Sequence, residues 1–403
     1  MTVRVIVGDA LDVLRTLDAA SIDAVVTDPP YGLKFMSKEW DSFKAGDIAM
    51  RRSAAMDAVN AGASRRGGRQ RACADYQKRQ ARDMVAFQQW ATEWAAEALR
   101  AAKPGTHLLA FGGTRTYHRL TCAIEDAGWE IRDCLMWLYG SGFPKSRDIG
   151  KDFDKGLRPV IGEQKAPGHA LENVKQGAQS RSHITFPKYD AAPITEEARQ
   201  WQGWGTALKP AWEPIILARK PLVGTVAANV QRHGTGALNI DGCRIGTEST
   251  LGPRSRNSFG LINDDGWQPK PGVDGSASGR WPANVVLDED AAAMLDEQSG
   301  SSRASRFFYN AKASRSEREA MEGGPRNHHP TVKPLDLMRW LVRLVTPPNG
   351  LILDPFCGSG TTGCAALAEG FRFLGIDREA EYVAIAEARL NATQPGLSLG
   401  EGT

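Results

Sequence analysis

The chain has 403 residues, of which 41% are hydrophobic and 24% charged, the texture of a soluble folded protein and not of a disordered one. No apolar run approaches the roughly 18 residues that a membrane-spanning helix needs, and Asp9 interrupts the N-terminal apolar stretch where a secretory signal would continue. A net charge of +3 is too small to identify a partner, and the length fits one large α/β domain with an insert, or two domains.

Residues 1–31 read as strand, helix, strand. Val3 to Val7 is a β-branched run, Leu11 to Leu17 is amphipathic, and Ala24 to Thr27 is apolar again. The stretch Arg51 to Arg82 carries nine basic residues (51, 52, 65, 66, 69, 71, 78, 79 and 82) against Asp57 and Asp75, a local net of +7. It fits either a solvated loop or an arm on nucleic-acid phosphates. A helix is expected over 84–103, ended by Pro104-Gly105, then a strand from Leu108 to Phe111, a helix over 115–127 and a strand from Ile131 to Leu138.

Residues 139–325 are rich in Gly, Pro, Ser, Asn and charge, the texture of an irregular domain or of long functional loops. A strand near 213–218 is expected to return to the sheet, and Trp201, Trp204, Trp212, Trp267 and Trp281 read as packing anchors. A helix over 335–347 follows, then strand 351–353, a Gly-rich turn, a helix through Ala368, strand 373–376 and a helix over 380–391. Cysteines 73, 122, 134, 243, 357 and 364 are scattered and include no C-x-x-C, which predicts a reduced cytoplasmic protein. His328 and His329 lack a metal-ligand spacing, so they read as loop residues and no metal is expected.

Gly358, Gly360 and Gly363 spell G-x-G-x-x-G after a strand and at the opening of a helix, with Asp377 ending the next strand. Such a loop cradles an electronegative ligand. A nicotinamide fold would need several more strands, yet only 26 residues follow Asp377. The missing strands must come from the N-terminal half, so the sheet is permuted in sequence. The second motif, Asp28-Pro29-Pro30-Tyr31, closes an apolar strand. A carboxylate, a carbonyl held by proline geometry and an aromatic face suit a planar ring bearing an exocyclic NH2. A capped tight turn would use the same residues.

Together these motifs resemble the S-adenosylmethionine-dependent amino DNA methyltransferases, in the permuted β-class arrangement where the catalytic half precedes the cofactor half. Gly8-Asp9, Asp28-Pro29-Pro30-Tyr31, His329-Pro330-Thr331-Val332-Lys333-Pro334 and Asp354-Pro355-Phe356-x-Gly358-Ser359-Gly360-Thr361 carry the likeness. Gly142-Phe143-Pro144-Lys145-Ser146 and Lys209-Pro210-Ala211-Trp212-Glu213 look like phage and prophage members. The resemblance implies a Rossmann-like, doubly wound α/β sheet with a catalytic half at 1–138, an inserted target-recognition region at 139–325 and a cofactor half at 326–403.

The resemblance further implies methyl transfer to a flipped-out base in double-stranded DNA. The Asp28 carboxylate and Pro29 carbonyl would hold the amine, Pro30 would fix the turn, and Tyr31 would stack on the base. Phe35 and Trp40 would join Tyr31, fill the gap in the duplex, or simply pack. Asp354, Phe356, Gly358 and Gly360 would form the cofactor loop. Lys333 would lie near the methionine carboxylate, Asp377 at the ribose hydroxyls and Asp9 at the adenine amine. Asp at the head of the tetrapeptide is more typical of adenine-N6 than of cytosine-N4 enzymes. Members of this subgroup often dimerise, so the resemblance admits a homodimer; it also admits, without deciding, a separate restriction endonuclease, and DNA binding would place the protein at the nucleoid. RNA or protein methylation, and an inactive DNA-binding decoy, are the competing readings.

Overall fold

The computed structural model describes residues 3–32, 69–142, 146–157, 159–165, 185–189, 192–246, 279–300, 304–311 and 332–393. Phe35, Trp40, Trp267, His328, His329 and the basic stretch up to residue 68 lie outside them, as do Phe143 to Lys145. In chain order come β1 (Val3–Val7), α1 (Ala10–Thr16), β2 (Ile22–Thr27), α2 (Arg69–Ala101), β3 (Ala102–Phe111), α3 (Tyr117–Asp126) and β4 (Glu130–Leu138). Next are α4 (Ile149–Phe153), β5 (Val160–Lys165), β6 (Thr185–Tyr189) and α5 (Glu196–Gln200). The remainder is β7 (Trp212–Arg219), α6 (Val226–His233), β8 (Val285–Asp288), α7 (Glu289–Ser299), β9 (Tyr309–Ala311), α8 (Leu335–Val345), β10 (Leu351–Asp354), α9 (Thr361–Ala368), β11 (Arg372–Asp377) and α10 (Ala380–Ala392).

Two compact units result: residues 1–140 with 212–403, and residues 141–211. The larger is built on a nine-stranded sheet in the order β1-β11-β10-β2-β3-β7-β4-β8-β9. All neighbours pair in parallel except β7, which runs antiparallel to both β3 and β4. The C-terminal strands β10 and β11 thus lie between β1 and β2, which is the permutation the glycine loop requires.

Alternation along the central strands divides the core into two layers. Ala24, Val26, Leu109, Phe111, Ile215 and Leu217 face α8 and α9, meeting Leu337, Trp340, Leu341 and Ala365. Val25, Leu108, Ala110, Ile216 and Ala218 face the other way, onto Phe87, Trp94 and Ala95 of α2 and Leu120 and Ile124 of α3. β2 is buried along its whole length, as a parallel strand covered on both faces must be. This is a three-layer, doubly wound α/β fold.

Several expected boundaries move. α2 begins at Arg69, so the backbone of residues 69–82, part of the expected basic loop or arm, is helical. It ends at Ala101, and β3 starts at Ala102, ahead of Pro104-Gly105. Pairing decides this: Ala102 aligns with Ile22, and Lys103 Nζ lies 2.6 Å from Asp23 Oδ1. The middle region supplies three strands to the sheet: β7, as expected, and also β8 and β9. The last two are four and three residues long, too short for periodicity to reveal.

The smaller unit contains α4, α5 and the antiparallel pair β5-β6. Its anchor is Asp154, which is 0% exposed and accepts hydrogen bonds from the Ile194 and Thr195 amides and the Thr195 hydroxyl. Trp204 of this unit and Trp281 of the larger one are 61% and 65% exposed, so neither is a packing anchor. Among the described residues no helix is long and apolar enough to cross a membrane.

Candidate active site

The strand order reverses between β10 and β2. From β10 the chain passes through α9 to β11 on one side. From β2 it passes through α2 to β3 on the other, and α2 and α9 cover opposite faces. Open α/β sheets bind ligands at such a switch point, outside the carboxyl ends of the strands. Here those ends carry the glycine loop, residues 354–360, and the tetrapeptide, residues 28–31, side by side.

Asp354 joins the two. It is 2% exposed. Its Oδ1 accepts from the Thr27 hydroxyl (2.7 Å) and the Phe356 amide (3.1 Å), and its Oδ2 from the Thr362 hydroxyl (2.6 Å). Burial pushes its carboxyl up to about 7, against the hydrogen bonds from Thr362, Thr27 and Phe356. The residue before Asp28 is therefore tied to the head of the glycine loop and the start of α9.

Within the loop, Gly358 and Gly360 adopt φ +49° and +81°, a region costly for residues with a Cβ. A Cβ on Gly360 would also lie 3.0 Å from Ala386 Cα. Gly363 serves packing instead, since a Cβ there would meet Phe373 Cε1 at 2.6 Å. Arg389 of α10 clasps the loop from behind, donating to the Ser359 carbonyl at 2.6 Å. Asp377 accepts from the Gly358 amide and the Glu379 amide, both at 2.9 Å. Its partly buried carboxyl is raised by that burial, and oxygens carrying one N–H each keep acceptor capacity for hydroxyls. Asp9, on the adjoining strand end, caps α1 through the Leu11 amide at 3.1 Å. The Phe356 ring packs on Trp90 and Trp94 of α2, with centroids 5.4 and 5.5 Å away. Cys357 beside it is buried, and that burial raises its thiol well above the usual range. Strand-end carboxylates flanking a glycine turn suit a ligand with ribose hydroxyls and an amine.

At the tetrapeptide the structure assembles a group the sequence did not reveal. Asp28 Oδ2 is 2.6 Å from Lys333 Nζ, and Asp28 Oδ1 accepts from the Tyr31 hydroxyl at 2.8 Å. Glu213 Oε2 lies 3.2 Å from that hydroxyl and 3.5 Å from Lys333 Nζ. Lys333, expected at the methionine carboxylate, is thus in contact with Asp28. Tyr31, expected as a stacking face, is also tethered through its oxygen, and burial, with the Asp28 and Glu213 charges, raises its pKa well above the ordinary value. Glu213 reaches this edge because β7 runs antiparallel to β3 and β4, so its first residues lie where those two strands end. A carboxylate opening an otherwise apolar strand was the available signal for it.

A family model for DNA methylases of the N6/N4 type matches residues 22–388. Over 95% of this chain and 93% of its own length, the type II methyltransferase M.HindIII of Haemophilus influenzae is 23% identical. The type II methyltransferase M2.LlaDCHI of Lactococcus lactis subsp. cremoris is 51% identical over 63 residues, 16% of this chain and 23% of that protein. The PvuII DNA methyltransferase (cytosine-N4-specific) aligns with 96% of this chain and 86% of its own, at TM-score 0.47 and 14% identity. The chain belongs to the DNA methylase family, whose reaction moves a methyl group from S-adenosylmethionine to DNA.

Proposed function

We propose that this DNA methylase acts on the exocyclic N6 of an adenine flipped out of double-stranded DNA, with Asp28 and the Pro29 carbonyl gripping the amine. The observation that supports this reading is the switch point itself: the tetrapeptide and the glycine loop end adjacent strands, joined by the Thr27–Asp354 hydrogen bond. An aromatic amine is a poor nucleophile because its lone pair is delocalised. Two acceptors on its N–H groups draw the nitrogen toward tetrahedral geometry and free that pair, and alignment in a rigid site lowers the barrier further. Pro30 keeps the turn rigid, and the Tyr31 ring offers a face for the base.

Bound S-adenosylmethionine supplies an electrophilic methyl group. The residues that would hold it are Phe356, Gly358 and Gly360 at the methionine moiety, in the loop that buried Asp354 anchors, with Asp377 at the ribose and Asp9 at the adenine. We assign the reading of the DNA sequence to the inserted region 139–325, of which residues 141–211 form the smaller unit with exposed Trp201 and Trp204, ring centroids 5.1 Å apart. Duplex DNA as substrate, action in the cytoplasm at the nucleoid, a homodimer and a companion endonuclease belong to the same reading.

Incubation with tritiated S-adenosylmethionine and unmethylated duplex DNA, then nucleoside digestion and mass spectrometry, tests it. N6-methyladenine is the expected product. N4-methylcytosine would replace the base while keeping the mechanism. An unlabelled duplex with cofactor binding intact would transfer the activity to RNA or protein.

A further inference from the structure

Lys333 is 8% exposed and sits directly before α8. An ammonium has three N–H donors. Among the described residues three oxygens surround it: Asp28 Oδ2 at 2.6 Å, the Tyr31 hydroxyl at 3.3 Å and Glu213 Oε2 at 3.5 Å. Aromatic rings flank the remaining approaches, with Phe111 at 4.8 Å and Tyr31 at 5.6 Å from centroid to nitrogen. A further carboxylate could be met only by abandoning one of these partners.

We infer that Lys333 is a positioning residue for Asp28, held in place by Glu213, and not a ligand of the methionine carboxylate. The inference rests on the proposed role of Asp28. With Oδ2 bound to the ammonium and Oδ1 to the Tyr31 hydroxyl, the carboxylate plane is fixed before the amine arrives, and each oxygen keeps an acceptor position for it. The ammonium also balances two carboxylates that would otherwise repel each other in a partly desolvated site. Burial works against its charge, and the Asp28 and Glu213 carboxylates more than offset that, so Lys333 stays protonated. Among the described residues, the other titratable groups facing the cluster are Tyr31, Tyr139, whose phenol feels Glu213 and Lys333, and Asp354, which feels Asp28.

The test compares full-length wild type with Lys333→Met, Glu213→Gln and Asp28→Ala. Calorimetry reads S-adenosylmethionine affinity, and single-turnover transfer to duplex DNA is followed across pH at saturating cofactor. Lys333→Met is expected to keep the cofactor Kd within about threefold while lowering the transfer rate by about 100-fold. Its acid-side half-point should rise by about one pH unit, because two carboxylates without their cation take up a proton more readily. Glu213→Gln, which removes the competing carboxylate, should move that half-point down. A Kd weakened tenfold or more, with the rate at saturation unchanged, would return Lys333 to the methionine carboxylate and overturn the inference. So would a rate loss in Lys333→Met with no movement of the acid limb, the mark of a merely structural role. Should Lys333→Met fail to fold, an unmoved acid limb in Glu213→Gln overturns it alone. Near-normal transfer by Asp28→Ala would instead sink the amine-gripping role, whatever Lys333 does.

Discussion

At Asp354 a carboxyl group is enclosed by two hydroxyls and an amide, while at Asp28 the same group faces a buried ammonium and keeps 21% of its side chain exposed. The first holds structure and the second is placed to meet a ligand. Asp354→Ala would leave the Thr27 and Thr362 hydroxyls and the Phe356 amide without their acceptor. Each unsatisfied group costs roughly 1–3 kcal/mol, so a drop of several kcal/mol in unfolding free energy is expected by urea titration, with weaker cofactor binding. Asp28→Ala, nearer solvent, should keep cofactor affinity and lose transfer by several orders of magnitude, read by calorimetry beside the tritium assay.

His107 gives a pH signature. Burial, then Arg219 and Arg132, lower its pKa from 6.5 to about 4. Between those values the unfolded chain binds more protons than the folded one, so stability from this group is complete above 6.5 and is lost as pH falls toward 4. Asp354 acts oppositely: its carboxyl rises from 3.8 to about 7, the folded chain holds the extra proton, and stability falls as pH rises through that range. The two slopes oppose each other over most of the window. His107→Gln should therefore gain stability relative to wild type on acidification, by up to about 3 kcal/mol, in urea titrations across the window.

At the scale of elements, the glycine motif divides its labour. Gly358 and Gly360 shape the turn, whereas Gly363 lets α9 approach β11. Gly363→Ala should lower stability by about 1–3 kcal/mol through overpacking against Phe373, visible in thermal unfolding, with a smaller effect on cofactor affinity than Gly360→Ala. The motif, the following helix and Asp377 were legible because they are local: turn chemistry and period alone define them. Helix α2 was half legible. Its apolar face shows from residue 84, but residues 69–82 carry the charge of a loop and continue the helix that packing of Phe87, Trp94 and Ala95 anchors.

For the whole molecule, the antiparallel pairing of β4 with β7 has a practical consequence. Leu138 lies opposite Trp212, so residues 139–211 leave and re-enter the sheet at neighbouring points, as a hairpin loop would. Replacing 141–211 with a short turn should leave the larger unit folded and binding cofactor, and reduce transfer to DNA to background. Calorimetry and the tritium assay check both halves of that expectation.

The order of motifs along the chain was enough to require a permuted sheet, and the composition of residues 28–31 and 354–360 was enough to suggest their chemistry. Local patterns carry that much because a turn, a cap or an alternating strand depends on residues a few positions apart. Who meets Asp28 was decided only in three dimensions. Lys333 stands 305 positions away in sequence, and Glu213 lies on β7, the strand of the nine-stranded sheet that runs antiparallel to its neighbours. Their contact follows from strand order, direction and register, which are set by how the two core layers pack together and are written in no single stretch of residues.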